Sequence, residues 1–90
     1  MTTSVHFQPT PNPNAGKFVA GRVIVEGKGS KSFYSAGQAA SDPLAAALFK
    51  IEGVASLFMA DDFITVTKDA SADWPSLSAR VIRVMSERLG

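Results

Sequence analysis

The stretch Pro9-Thr10-Pro11-Asn12-Pro13-Asn14-Ala15-Gly16-Lys17-Phe18 places three prolines at alternate positions. Each proline fixes its own φ, removes a backbone donor and pushes the residue before it out of the α region. Pro9–Pro13 is therefore barred from helix and reads as a stiff, extended connection, with Asn14-Ala15-Gly16 as the turn that follows. Asn12 and Asn14 can hydrogen-bond the backbone locally where proline leaves it short of donors. A chain with this crossing near its start must build its first elements from short strands. Val5-His6-Phe7-Gln8 alternates apolar and polar residues, as a half-buried strand does, and Pro9 closes it. Lys17-Phe18-Val19 and Arg22-Val23-Ile24-Val25 read as strand segments broken at Gly21. Gly27-Lys28-Gly29-Ser30-Lys31 reads as a flexible turn, and Ser32-Phe33-Tyr34-Ser35 as a further short strand.

The pattern then changes period. Asp42 is a good N-cap, Pro43 suits the first helical position, and Leu44–Phe49 has strong helix propensity. Leu44, Leu48 and Ile51 share one face, and Gly53 stops the helix. Val54–Met59 and Phe63–Lys68 predict a hairpin through Ala60-Asp61-Asp62. With those three residues as the loop, Met59 faces Phe63 and Leu57 faces Thr65, leaving Val54, Phe58, Ile64 and Val66 on the core side. A two-residue loop fits equally and changes the pairing. Asp73 caps a second helix that begins with Trp74-Pro75-Ser76, carries an apolar stripe of Leu77, Val81, Val84 and Met85, and places Arg80, Arg83 and Arg88 toward its later turns. The expected class is α+β: one domain over residues 1–90, a two-layer fold with a mostly antiparallel sheet and two helices packed on one face.

Bulk properties narrow the function. Nine Lys and Arg against eight Asp and Glu give a net charge of +1, which supplies no field for nucleic acid or an anionic membrane. With no cysteine, the chain has no disulfide, thiolate metal site or thiol nucleophile of its own. No apolar run approaches the about 20 residues of a membrane span, and Met1-Thr2-Thr3-Ser4 lacks the positive start and long apolar run of a signal peptide, so none is expected. The expected setting is cytoplasmic.

The chemistry-bearing residues point away from catalysis. His6 is the single histidine, alternates to the polar side of its strand and has no evident partner. Asp61 and Asp62 are common turn formers. Asp69-Ala70-Ser71-Ala72-Asp73 begins like a calcium loop, but Trp74 stands where that loop needs glycine and Arg80 where it needs the bidentate glutamate. Gly27–Ser32 lacks the spacing and the following helix of a phosphate loop. An apolar cluster on the helix-free side of the sheet is more informative. Leu57, Met59, Phe63 and Thr65 form the candidate partner-binding face; cover by the Pro9–Phe18 loop, or a different register, is the alternative.

Three stretches together, "TPNPNAGKF" (Thr10–Phe18), "DPLAAALFKIEGV" (Asp42–Val54) and "DDFITVTK" (Asp61–Lys68) followed by Asp73-Trp74, resemble the N-terminal domain of Nfu, the NifU-like iron–sulfur cluster carriers. The resemblance implies an α+β fold and a place in iron–sulfur protein maturation, bacterial or mitochondrial, and the setting expected for this chain is the bacterial cytoplasm. In that family the cluster is held by a C-x-x-C motif on a separate C-terminal domain, so this cysteine-free chain alone is expected to bind no cofactor and to be no complete scaffold. Implied partners are a cysteine-bearing C-terminal domain of the family or an iron–sulfur apo-protein, with self-association as a further option. The motif residues carried over are Asn12, Pro13, Asn14, Lys17 and Phe18 in the loop, and Asp61, Phe63, Thr65 and Lys68 on the hairpin. The rival reading is a small ligand-binding protein or enzyme in which Lys17 and Asp61 converge beside the Asn12–Lys17 loop.

Overall fold

The computed structural model describes residues 5–25, 27 and 29–89. In chain order the elements are β1 (His6–Pro9), β2 (Ala15–Val19), β3 (Ser30–Phe33), α1 (Ala36–Ala39), α2 (Pro43–Phe49), β4 (Val54–Ala60), β5 (Phe63–Lys68) and α3 (Trp74–Leu89). The strands form one sheet in the order β1-β2-β5-β4-β3, and every neighbouring pair is antiparallel. One sheet face is packed by helices. Phe18, Leu57, Met59, Ile64 and Val66 share a continuous core with Leu48 of α2 and Leu77, Val81 and Met85 of α3. The α+β, two-layer expectation holds, with α1 as a short addition.

The β4–β5 register corrects the three-residue loop. Ala60 pairs with Phe63, Met59 with Ile64, Leu57 with Val66 and Phe58 with Thr65, so Asp61 and Asp62 alone make the turn. Asp61 takes the left-handed φ of 46° that a tight two-residue turn demands and that aspartate tolerates. The pairing that buries Leu57 and Met59 beside Ile64 and Val66 places four apolar side chains on the helix face. The alternative would have left two of them in water. Leu57 and Met59, expected on the open side, are 2% and 1% exposed, whereas Phe58, expected in the core, is 39% exposed.

Arg22–Val25 forms no strand. Gly21, at a φ of 73°, turns the chain, and the segment runs across the hairpin tip instead. The Asp62 carbonyl accepts from Ala20 N–H at 2.7 Å, and the Asp61 carbonyl accepts from Ile24 N–H at 2.6 Å and Val25 N–H at 3.1 Å. Backbone donors expected to pair with a strand are thus spent on the turn. Arg22 reaches the Leu89 carbonyl and ties this segment to the end of α3. Of the expected 27–31 turn, Lys28 lies outside the described residues, as do Met1–Ser4.

The helices start where their caps predict. Asp42 Oδ1 accepts from Leu44 and Ala45 N–H at 3.0 and 3.1 Å, with Pro43 at the first position. Its other oxygen lies 3.5 Å from Lys31 Nζ on β3. Asp73 Oδ2 accepts from Ser76 N–H at 2.9 Å at the start of α3. α1 is capped by Ser35, whose Oγ accepts from Gln38 N–H, while Gln38 Oε1 reaches one residue beyond the cap to accept from Tyr34 N–H. The Arg83–Glu87 pair on α3 is exposed at both ends and contributes little.

Candidate functional site

The proline crossing is held from three directions. Within it, Thr10 Oγ1 donates toward the carbonyls of Asn12 and Ala15 and accepts from Asn12 N–H, and Asn12 Oδ1 accepts from Asn14 N–H at 2.9 Å. Toward β5, the Asn14 carbonyl accepts from Lys68 N–H at 2.7 Å and Asn14 Oδ1 accepts from Lys68 Nζ at 3.2 Å. Toward α3, the Pro13 carbonyl accepts from the Trp74 indole N–H at 2.9 Å. Asn12 satisfies the loop from inside, as expected. Asn14 instead spends its side chain on β5.

Beneath the loop, Phe7, Phe18 and Trp74 form an aromatic cluster with ring centroids 5.1, 5.2 and 6.1 Å apart. Gly16 makes room for it. A Cβ at that position would lie 2.4 Å from Phe7 Cε1 and 3.0 Å from Trp74 Cη2. Thus Asn12, Pro13, Asn14 and Phe18 are engaged in holding the fold together. A cleft of about 250 Å³ between the loop, Phe7 and Trp74 is nearly all apolar in its lining and brings no acid or base to the loop.

Lys17 separates from the rest of the motif because strand alternation sends it to the opposite face from Phe18. There it pairs with Thr65 across β2–β5, and its ammonium stands 4.4 Å from the centroid of the Phe63 ring. Phe63 in turn lies 6.2 Å from Phe58 on β4, with the rings tilted by 42°. Thr65 completes the patch, opposite Lys17 on one side and Phe58 on the other. None of these four side chains belongs to the core or packs against it as a partly buried hydrophobic.

Two of the four expected partner-face residues, Phe63 and Thr65, therefore lie on the open face, while Leu57 and Met59 are core. Phe58, expected in the core, and Lys17, expected in the loop motif, are the residues whose place on this face was not anticipated. Alternation from the buried Phe18 was a sufficient signal for Lys17, and the two-residue loop would have supplied Phe58. Lys17 and Asp61 do not converge. Asp61 sits at the hairpin tip, and among the described residues no ion pair joins them. His6 is exposed on the edge strand β1. Among the described residues, no three His, Asp or Glu side chains gather as a metal site. The cleft at the start of α3, about 220 Å³ and lined by Glu52, Asp69, Asp73 and Arg80 among others, contains no buried polar side chain without a partner.

The fold and its motifs recur in known proteins. Residues 5–90 match the family described as "Scaffold protein Nfu/NifU N terminal". The mitochondrial NFU1 iron-sulfur cluster scaffold homolog of Drosophila persimilis is 42% identical over 84 residues, which is 92% of this chain and 29% of that protein. The Drosophila willistoni counterpart is 41% identical over 96% of this chain and 30% of its own length. The chain thus spans less than a third of the curated relatives it matches. Among solved structures, the NifU-like protein of Saccharomyces cerevisiae superposes with a TM-score of 0.87 at 28% identity, covering 98% of this chain and 79% of that one. The relatives are named as scaffolds and not as enzymes. Their naming as mitochondrial proteins overturns the expectation of a bacterial cytoplasmic setting. On the family match across nearly the whole chain and the identity to these scaffold homologues, this chain belongs to the Nfu/NifU N-terminal family.

Proposed function

We propose that this chain is a non-catalytic interaction domain that serves iron–sulfur cluster assembly or transfer by contacting a second protein or domain through its open sheet face. The observation that carries this reading is the Phe58–Phe63 pair, with Phe58 exposed, Phe63 half-buried and Lys17 held over the Phe63 ring, on the side of the sheet that the helices leave bare. Aromatic side chains, phenylalanine among them, are enriched in the cores of protein interfaces. The family supplies the process: proteins of this family are named for scaffolding, and a chain without cysteine would act beside a cluster-bearing unit. The loop is a weaker candidate, because Thr10, Asn12, Asn14 and Pro13 already direct polar atoms to the fold itself.

The test is an amide chemical-shift titration with a cluster-loaded, cysteine-bearing C-terminal domain of the family, and then with an iron–sulfur apo-protein. Saturable shifts centred on Lys17, Phe58, Phe63 and Thr65 are expected. Phe63→Ser should weaken that binding at least about tenfold, the size of a hot-spot loss, while leaving the spectrum of a folded protein. Saturable shifts confined to the 10–16 loop would overturn the assignment of the face, and no shift with either protein would overturn the interaction role.

A further inference from the structure

Charge on the sheet is one-sided. The five strands contain Lys17, Lys31 and Lys68, but not one aspartate or glutamate. Two of the three strand lysines have oxygen partners: Lys31 faces Asp42, and Lys68 is held by the Asn14 side chain and the Asp69 carbonyl. Lys17 has none. Its ammonium is held in place by the face of Phe63, which attracts the cation but takes none of its three N–H donors as a carboxylate would. Thr65, directly opposite, likewise has a hydroxyl with no protein partner among the described residues. Asp61 and Asp62 close the turn at one end of the face and form no ion pair with Lys17 among the described residues.

A positioned cation and a hydroxyl beside two aromatic rings, Phe58 exposed and Phe63 half-buried, form a two-part receptor. One part takes an anionic oxygen and the other an apolar side chain. We propose that the open sheet face receives an acidic segment of a partner protein, with a carboxylate on Lys17 and Thr65 and a neighbouring aliphatic or aromatic side chain on Phe58 and Phe63. This rests on the reading of that face as an interaction surface and specifies the chemistry of what it takes. A carboxylate fits better than a nucleic-acid backbone, because one lysine on the face gives a single charged contact where a phosphate chain needs a basic track. Lys17 also stands beside the aromatic pair and not at the rim, so a carboxylate reaching it is partly shielded from water, where charge-assisted hydrogen bonds are strong.

The experiment uses the full chain and two blocked peptides, one alternating leucine with glutamate and a twin with lysine for each glutamate, followed by amide shifts. The glutamate peptide is expected to move Lys17, Phe58, Phe63 and Thr65 saturably, with an affinity at least about tenfold above that of its twin and falling as salt is raised. Lys17→Glu should reverse the preference between the peptides, while Lys17→Gln should abolish it and leave the residual apolar binding. Equal binding of the two peptides at this face would overturn the acidic assignment and leave the interaction surface standing. The same would follow if neither peptide shifted the face while the protein titration did. A thymidine oligonucleotide saturating these amides would overturn the proposal in favour of a nucleic acid. A dimer in light scattering that Lys17→Glu disperses would overturn it in favour of a second copy of this chain.

Discussion

Leu57→Ala is expected to lower the free energy of unfolding by about 2–5 kcal/mol, while Phe58→Ala, one residue along the same strand, should lower it by no more than about 1.5 kcal/mol. The contrast follows from the two-residue turn. Leu57 is 2% exposed and lies opposite Val66 in the core, so truncation leaves a cavity that well-packed neighbours refill only in part. Phe58, 39% exposed and outside the core cluster, loses its tilted contact with Phe63 and some half-buried area but opens no cavity in the core. Against the roughly 5–13 kcal/mol of a domain this size, the first change consumes a large share of stability and the second a small one. Urea denaturation of the two variants reads both values. A reversed order would mean that the strand is turned over by one residue and that the open face has been misassigned.

Gly16→Ala is the second large effect, expected at about 1–3 kcal/mol of destabilisation from a single added methyl group. Gly16 has an ordinary negative φ, so backbone strain is not the cause. The added carbon would enter the space occupied by the Phe7 ring, at 2.4 Å from Cε1, and would press on Trp74. Phe7 can swing away only by giving up its contacts with Phe18 and Trp74. Trp74 in turn anchors the Pro13 carbonyl, so displacement of the indole also loosens the proline crossing. A thermal melt would register the change as a drop of roughly 4–8 °C per kcal/mol. An unchanged melting temperature would show that the ring relaxes freely and that the glycine is not a packing requirement.

Much of the architecture was legible because it is written in local chemistry. Prolines at alternate positions fix the crossing between β1 and β2, Asp42-Pro43 and Asp73 start the two long helices, and the spacing of Leu77, Val81 and Met85 states which side of α3 is buried. Local chemistry also encodes α1, since Ser35 and Gln38 stand at capping-box spacing. The register of β4 against β5 was not legible. Ala60 can sit equally in a loop or at the end of a strand, and the choice between them turns over Leu57, Phe58 and Met59. Val23-Ile24-Val25 looks like strand by composition. Two of its backbone donors nonetheless go to the Asp61 carbonyl, a partner that no short-range pattern announces. The open face depends on the same long-range fact, because Lys17 and Phe63 meet only once β2 has joined β5.

That junction has a kinetic consequence. β5 is central, yet β2 reaches it from the far end of the chain: Asn14 and Lys68, which close the junction, are 54 residues apart. β4 and β5 need only a two-residue turn, and α2 leads directly into them, so this part can assemble locally before the entropy of the long loop is met. The β1–β2 ribbon is then expected to dock last on folding and to detach first under native conditions. Hydrogen exchange should find the amides of Lys17 and Val19 opening at lower free energy than those of Leu57 and Ile64. The surface that carries Lys17 would therefore exist only intermittently in a weakened variant. A mutation far from the face could silence it without unfolding the remainder of the chain.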